Sequence, residues 1–306
     1  MLVTTLYVIN RTLHEVLNKT GYCALYFCFK IIPYETIHTI CNNITHIHSR
    51  LSSAKSNRIY QKSYRTGVKP FTKPYNPGSN SIIIKNDTIV FPRNGKSTFL
   101  VYKVFYNSSA SSQFRKGLLV MGSGNNESNP TVGKLDEPAE NALCNKAVQN
   151  GYVAAILQYT KGPGIVNWNA SAQQLADDYD VCISTLSTKF NIPKSKSVVG
   201  GVSYAGFLLL TVNAYFNTLN YCKGLLAPCS ATNTDAASQF KIPIYNICCK
   251  GEYEVGGGNV TGSTLYNAIH ANVKSKSECV IDNNCQSHCG NLWTNELYTK
   301  MNYWLQ

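Results

Sequence analysis

The chain has 306 residues, of which 44% are hydrophobic, and its 28 Lys and Arg outnumber its 16 Asp and Glu to give a formal net charge of +12. This length exceeds a typical single core and predicts one domain with an extension. No segment reaches the roughly 20 apolar residues that a membrane span needs. The nearest approach, residues 21–32, is compatible with a displaced signal region, a buried helix or an interfacial segment, so the sequence leaves membrane association open.

The first 78 residues differ in character from the rest. They carry ten Lys and Arg but only two acidic residues, Glu15 and Glu35, so most of the positive charge lies here. The basic stretch at 52–80, which contains three prolines, is typical of a linker or a partly ordered arm. Basic arms can favour nucleic acid, but no nucleic-acid module is recognisable and no nucleic-acid partner is expected. We predict a basic extension at 1–78 and a second domain at 79–306.

After this extension, extended and helical segments alternate. Runs at 81–85 and 97–105 predict an antiparallel opening. Further strands are predicted at 117–121 and 150–159, followed by a helix over 171–190 whose apolar residues recur at helical spacing. Such alternation is typical of βαβ units, and it predicts an α/β fold with a mainly parallel central sheet flanked by helices on both faces.

The most informative stretch is 197–210. A short β-branched run ends at Gly201, Ser203 follows, and small residues then lead into an apolar segment long enough for a helix. This layout is typical of a nucleophile elbow, in which a serine on a sharp strand-to-helix turn exposes its hydroxyl above the sheet. Ala205 stands where the usual pattern has its last glycine, and Gly206 comes one residue later. An ordinary glycine-rich loop between a strand and a helix is the alternative.

With these features in this order, the chain resembles an α/β-hydrolase over roughly residues 81–306. The resemblance implies the α/β-hydrolase fold and a serine nucleophile, Ser203, followed along the chain by an acid and a histidine. Two histidines follow Ser203. His270 lies in a helix-like stretch, whereas His288 lies in a polar loop between the last predicted strand and a final amphipathic segment. His288 is therefore the candidate base.

The acid of this arrangement should follow the predicted strand at 242–249. Many hydrolases carry a glycine, two variable residues and then the acid at this point, and counting from Gly251 gives Glu254. Glu252 is the second candidate, and Asp235, after the preceding strand, is the third.

The resemblance also implies an oxyanion hole after the strand at 117–121. Backbone N–H groups near Ser123 or Gly124, with that of Tyr204, are the expected donors. Trp168 is expected to bind substrate by lining an apolar pocket. Tyr159 is expected either there or in the core.

The chain has twelve cysteines, nine of them in the second domain, and this number is high for a cytosolic hydrolase. Such a density indicates an oxidising compartment with some disulfides. Adjacent Cys248 and Cys249 in one strand predict at least one reduced, buried thiol. An extracellular or secretory-pathway location is therefore expected. The expected local disulfides are Cys222–Cys229 and Cys279 with either Cys285 or Cys289. Metal binding by His288 with Cys285 and Cys289 is disfavoured, since no second Cys/His pair at zinc spacing lies nearby, and no cofactor or metal is expected.

Together these features predict a serine hydrolase that cleaves a small-molecule or lipid-like carboxylic ester through an acyl-enzyme. Only about a dozen residues separate the strand that ends near Pro228 from the one that starts near Ile242, so no large cap is expected. A serine peptidase or acyltransferase on the same fold, or a non-catalytic binding protein, are the alternatives. The sequence does not predict an oligomeric state.

Overall fold

The computed structural model describes residues 81–108, 115–124, 132–160, 162–163, 167–252 and 258–306. The predicted extension at 1–78 and the apolar segment at 21–32 lie outside these ranges, so the proposed domain boundary stays a prediction. Glu254 also lies outside them. The described residues contain eight strands: β1 (Ile82–Arg93), β2 (Lys96–Asn107), β3 (Leu118–Gly122), β4 (Val153–Gln158), β5 (Ser197–Gly201), β6 (Leu225–Leu226), β7 (Ile244–Cys249) and β8 (Glu278–Asp282).

Helices connect most of these strands. In chain order the α-helices are α1 (Pro138–Gln149), α2 (Trp168–Phe190), α3 (Tyr204–Tyr215), α4 (Thr234–Ala237), α5 (Gly262–Ala268), α6 (Ala271–Lys274) and α7 (Thr294–Leu305), with a short 3₁₀ turn at Lys194–Lys196. Residues 227–243, between β6 and β7, contain only the one-turn helix α4. The expectation that no large cap is inserted there is confirmed.

The eight strands form a single sheet in the order β1-β2-β4-β3-β5-β6-β7-β8. The pairs β1–β2 and β2–β4 are antiparallel, and every later pair is parallel. The predicted antiparallel opening is therefore confirmed. The turn between β1 and β2 is Asn94-Gly95, both at positive φ (51° and 73°), which is the two-residue turn that suits the twist of a hairpin.

The order of the strands reverses at β3, which lies between β4 and β5 although it precedes both in the chain. In open α/β sheets the crevice for a ligand forms beyond the carboxyl ends of the strands at such a reversal. The loops that follow β3 and β5 are those that carry Ser123, Gly124 and Ser203. The topology therefore brings these residues to one edge of the sheet.

The core lies on both faces of the sheet. Along β3, Leu118 and Val120 pack into one apolar cluster, while Leu119 and Met121 pack into the other. This alternation follows from the two-residue period of a strand. Helices α2 and α3 cover the first face, and α1 and α7 cover the second. The predicted mainly parallel sheet with helices on both faces is confirmed.

Candidate active site

Ser203 occupies the sharp turn between β5 and α3. Its backbone has φ 51° and ψ −118°, a conformation that residues with a Cβ rarely adopt and that costs of the order of 1–3 kcal/mol. Two contacts hold this backbone in place: the Ser203 N–H donates to Pro228 O at 3.1 Å, and the hydroxyl of Ser230 donates to Ser203 O at 3.2 Å. The turn at Ser203 is therefore supported from the loop that follows β6.

The small residues around Ser203 allow two backbones to approach each other. A Cβ added at Gly201 would lie 2.6 Å from the carbonyl carbon of Ala205, and one added at Gly206 would lie 1.9 Å from Ser230 Oγ. Both separations are shorter than carbon side chains tolerate. The residue that must lack a side chain after the serine is therefore Gly206, and this explains why an alanine fits at position 205.

The side chains of Ser203, His288 and Glu252 lie in a row. Ser203 Oγ is 2.8 Å from His288 Nε2, and His288 Nδ1 contacts Glu252 Oε1. The second oxygen, Glu252 Oε2, accepts the backbone N–H of Cys249 at 2.7 Å. The Glu252 side chain is 6% exposed and that of His288 is 49% exposed, so the carboxylate is held inside while the imidazole borders solvent.

The carboxylate that the structure brings to His288 is that of Glu252, the second candidate, whereas Glu254, the residue favoured by spacing, lies outside the described residues. The position of Glu252 has a local cause. The Glu252 N–H donates to Cys249 O and its side chain accepts the Cys249 N–H, so the chain turns back on the end of β7 within three residues. Asp235 is exposed in the first turn of α4, and the structure does not bring it to His288.

His270 lies elsewhere, as the sequence indicated. It is the residue before α6, and its Nδ1 accepts the N–H of Asn272 at 3.3 Å. This is a local capping contact at the start of a short helix.

The loop after β3 runs beside the nucleophile. A Cβ added at Gly124 would lie 3.2 Å from Ser203 Cβ and 3.7 Å from its Oγ. Ser123 is fully buried, and its Oγ accepts the N–H of Lys134 at 2.5 Å. Tyr204 is the first residue of α3, and N–H groups in the first turn of a helix have no partner within the helix. The three residues predicted for the oxyanion hole therefore lie around Ser203.

Tyr159 holds this loop through its side-chain hydroxyl. Its hydroxyl lies 2.9 Å from Ser123 O and 3.1 Å from Gly124 O, and it donates to this pair of carbonyls. The ring is 1% exposed, and burial raises the pKa of the hydroxyl, so it stays protonated as a donor. Of the two expectations for Tyr159, the core position is correct, and its contact with the loop was not predicted.

Trp168 is the first residue of α2 and packs against the residue after the nucleophile. Its ring meets that of Tyr204 edge to face, with centroids 5.8 Å apart, and its Nε1 donates to Thr211 Oγ1 at 2.9 Å. The indole is partly exposed. It is therefore fixed near the site by α3, and its expected role in substrate binding stays a prediction.

Comparisons with solved structures agree with this architecture. A protein named as a dienelactone hydrolase from Klebsiella pneumoniae aligns over 73% of this chain and 98% of its own, with 13% identity and a TM-score of 0.51. Fungal esterases from Rhizomucor miehei align over 74% of this chain and 86% of theirs, with 10% identity and a TM-score of 0.51. A protein named as a dipeptidyl aminopeptidase IV from Bacteroides ovatus aligns over 76% of this chain and 37% of its own, with 13% identity and a TM-score of 0.53.

The chain has the α/β-hydrolase fold. No protein-family model matches the sequence, and no curated protein matches it significantly. At identities of 10–13% the structural likeness shows the fold alone, so the chemistry has to be argued from the residues.

The prediction of the disulfide pairs is wrong. The bonded pairs are Cys229–Cys289 and Cys249–Cys285, whereas Cys222 and Cys279 are free thiols. The expected pairs were local in sequence, but the true partners come from separate loops that converge at the edge of the sheet. The predicted reduced thiol beside Cys249 is Cys248, which is buried.

An apolar crevice lies next to Ser203 and His288. Its volume is about 290 Å³, counting the part open to solvent. Two of its walls, Val202 and Cys289, are the chain neighbours of Ser203 and His288. The other lining residues come from β3, the start of α1, the loop after β6 and the region around α7: Met121, Ala139, Pro228, Cys229, Asn291, Leu292, Trp293 and Leu297.

Proposed function

We propose that the protein is a serine hydrolase that cleaves carboxylic esters through an acyl-enzyme, with Ser203 as nucleophile, His288 as base and Glu252 as the orienting acid. The observation that carries the proposal is the continuous contact from Ser203 Oγ through both ring nitrogens of His288 to a buried carboxylate. Nucleophile, base and orienting group in hydrogen-bonding sequence are the arrangement that activates a serine.

The base works through one tautomer of the imidazole. With Nδ1 protonated, the His288 ring donates to Glu252 and leaves the Nε2 lone pair to accept the Ser203 proton. Attack on the ester carbonyl then forms the bond from Ser203 Oγ to carbon, and the proton on Nε2 passes to the departing alkoxide. Water then gives a proton to Nε2 as its oxygen bonds to the acyl carbon; the bond from that carbon to Ser203 Oγ breaks, the carboxylic acid leaves, and Nε2 returns the proton to Ser203. Glu252 stabilises the imidazolium in both halves of the reaction.

The developing oxyanion is the second requirement. We propose that N–H groups of the loop at Ser123 and Gly124, with that of Tyr204, receive it. The position of Gly124 beside Ser203 and of Tyr204 at the start of α3 supports this assignment. Loss of one such donor typically raises the barrier by about 2.7–4 kcal/mol.

The substrate is proposed to be a small-molecule or lipid-like ester with an apolar group. The lack of an inserted cap between β6 and β7 supports an open site, and the crevice beside Val202 offers an apolar surface for one side of the ester. The edge-to-face pair of Trp168 and Tyr204 offers a second apolar wall, which supports Trp168 as a substrate-binding residue.

We further propose that the protein acts in an extracellular or secretory compartment. Two disulfides among the nine cysteines of the second domain support an oxidising environment, since such bonds persist mainly there. No helix in the described part of the chain has the length and hydropathy to cross a membrane. Peptide mapping under non-reducing conditions tests the two pairs directly.

Turnover of p-nitrophenyl esters from acetate to palmitate, beside a matched set of peptide p-nitroanilides, tests the function. We expect ester turnover that disappears in Ser203→Ala and labelling of Ser203 by a fluorophosphonate. Turnover of the anilides alone would favour a peptidase. Labelling of a different serine, or full ester turnover by Ser203→Ala, would contradict the proposal.

A further inference from the structure

The loop that carries His288 has little core packing of its own. Residues 283–293, between β8 and α7, form no helix or strand, and within them only Cys285 and Trp293 are buried. The hydrogen bonds described for this loop mostly join it to itself or to Asp282, the residue before it. Segments with few buried contacts open most easily. A second restraint is therefore needed to hold the imidazole in line.

Two disulfides flank His288 closely. Cys285 lies three residues before it and Cys289 lies directly after it, and each is bonded to a different part of the fold. The Cα atoms are 5.4 Å apart in the Cys229–Cys289 pair and 4.7 Å apart in the Cys249–Cys285 pair. The loop is thus fastened on both sides of the base.

The Cys249–Cys285 disulfide joins the histidine loop to the residue that binds Glu252. Cys249 is the last residue of β7, and its N–H donates to Glu252 Oε2 while its carbonyl accepts the Glu252 N–H. The neighbouring Lys250 N–H also lies 3.0 Å from Cys285 O. A single residue, Cys249, therefore binds the carboxylate through its backbone and the histidine loop through its sulfur.

The Cys229–Cys289 disulfide joins the histidine loop to the segment that supports Ser203. Cys229 lies between Pro228, whose carbonyl accepts the Ser203 N–H, and Ser230, whose hydroxyl donates to the Ser203 carbonyl. Both Cys229 and Cys289 have φ 52°, in the left-handed region that few non-glycine residues adopt. The backbone is turned at both ends of this bond, which brings the support of Ser203 and the residue after His288 together.

We propose that the two disulfides are separate positioning devices, in which Cys249–Cys285 sets His288 against Glu252 and Cys229–Cys289 sets His288 against Ser203. This inference rests on the proposed function, because it treats these three residues as a working triad. Each of the two covalent bonds thus positions the imidazole toward one of its two partners. Loss of one bond then impairs one contact of the imidazole and leaves the other.

The paired variants Cys249→Ala/Cys285→Ala and Cys229→Ala/Cys289→Ala test this division in the full chain, with Cys279→Ala, a free thiol on β8, as control. With p-nitrophenyl butyrate we expect each paired variant to lower kcat at least tenfold with KM changed less than threefold, and the control to match the parent. Unchanged kcat in both paired variants, with only a lower Tm, would show that the bonds merely stabilise the fold and would overturn the proposal.

Combination with Glu252→Gln separates the two roles. If Cys249–Cys285 acts through Glu252, its removal should lower kcat less than threefold further in the Glu252→Gln background, because the contact it serves is already lost. Removal of Cys229–Cys289 should lower kcat in that background by the same factor as in the parent. The same dependence on Glu252 for both pairs would contradict the division.

Reduction of the folded, oxidised protein covers the case in which a paired variant does not fold. Dithiothreitol supplies two electrons and two protons to each disulfide, so that two thiols form and the reagent becomes its cyclic disulfide. Cys289 is the one of the four that is not buried, and we expect Cys229–Cys289 to open first. Activity should then fall before near-ultraviolet circular dichroism changes, whereas activity that falls only with unfolding would overturn the proposal.

A readout independent of turnover keeps this test separate from that of the proposed function. The proton on His288 Nδ1, which the ring donates to Glu252 in a hydrogen bond, should give a downfield proton resonance in the oxidised protein. We expect this resonance to disappear in Cys249→Ala/Cys285→Ala and to persist in Cys229→Ala/Cys289→Ala. Its persistence in both would contradict the assignment of Cys249–Cys285, even if no ester were cleaved.

Discussion

The hydroxyl of Tyr159 lies 2.9 Å from the carbonyl oxygen of Ser123, and a second contact of 3.1 Å joins it to the carbonyl of Gly124. A peptide group that accepts at its oxygen has its N–H turned the opposite way. Through these two contacts Tyr159 fixes the peptide planes of the loop that passes beside Ser203. Sequence reasoning placed Tyr159 only in a pocket or in the core, because a hydroxyl bonded to backbone leaves no trace in spacing.

Tyr159→Phe should therefore impair catalysis without preventing folding. We expect kcat for p-nitrophenyl butyrate to fall about tenfold, with KM nearly unchanged, because the loop donors lose their alignment with the transition state. Tyr152→Phe is the matched control, since its buried hydroxyl bonds Asn302 Oδ1 at 2.7 Å, away from Ser203. Equal losses of kcat in both variants would show a general packing effect.

The identity of the acid gives the second prediction. Glu252→Gln keeps the shape of the side chain but removes the charge that stabilises the imidazolium of His288, so we expect kcat to fall about 10³- to 10⁴-fold. Asp235→Asn should change kcat less than twofold, because Asp235 is exposed on α4. Glu254→Gln serves as a second comparison. A larger loss for Glu254→Gln than for Glu252→Gln would return the assignment to the spacing rule.

The sequence predicted the parts of the site that are local. Gly201, Ser203 and Gly206 lie within six residues, so strand, turn and helix can be recognised together. The position of His288 follows from the order of elements. The partner of His288 depends instead on how tightly the chain turns after Cys249, and two glutamates two residues apart give the same pattern.

The disulfides could not be predicted for a related reason. Their cysteines are separated by 36 and 60 residues, and their pairing depends on which loops meet at the edge of the sheet. Proximity in sequence favoured Cys222–Cys229, but Cys222 is a buried free thiol in the core cluster on the first face of the sheet. The fold itself was predictable, because short apolar strands (β3, β4 and β5) alternate along the chain with longer segments such as α2, whose apolar residues recur at helical spacing.

The contact between Gly206 and Ser230 gives the third prediction. Gly206→Ala would place a Cβ 1.9 Å from Ser230 Oγ and 2.5 Å from Gly201 O. Forced displacement in a packed region typically costs about 1–3 kcal/mol, so we expect Tm to fall by roughly 3–10 °C. Ala205→Gly is the comparison at the neighbouring position and should retain fold and activity. An unchanged Tm in Gly206→Ala would show that the two backbones are less closely packed.

A buried carboxyl on α1 gives a dependence of stability on pH. Glu140 is 2% exposed, and burial, aided by nearby Glu137, raises its pKa to about 7 from 4.5. The folded state then holds this proton more tightly than the unfolded state, so the stability that Glu140 contributes is complete below pH 4.5 and is lost as pH rises through 7. The full loss is about 3 kcal/mol.

Glu140→Gln should remove this dependence. Urea unfolding should show the variant about as stable as the parent near pH 4.5 and more stable at pH 8, where the parent has to ionise a buried carboxyl. Glu296→Gln is the control, since Glu296 is exposed in the first turn of α7 and its replacement should leave this pH dependence as in the parent. A stability difference between Glu140→Gln and the parent that is the same at both pH values would contradict the assignment.

The apolar crevice next to the nucleophile gives the last prediction. Leu292 lines it and is 44% exposed, so a larger side chain can be introduced there without disturbing the core. If the crevice receives the apolar group of the substrate, Leu292→Trp should shorten the accepted chain, and kcat/KM for p-nitrophenyl octanoate should fall about five- to tenfold relative to that for the acetate. Val90→Trp, a similarly exposed position on β1, should leave this ratio unchanged. A ratio unchanged in Leu292→Trp would place the acyl group elsewhere, against the wall formed by Trp168 and Tyr204, and Trp168→Ala would then be expected to alter it.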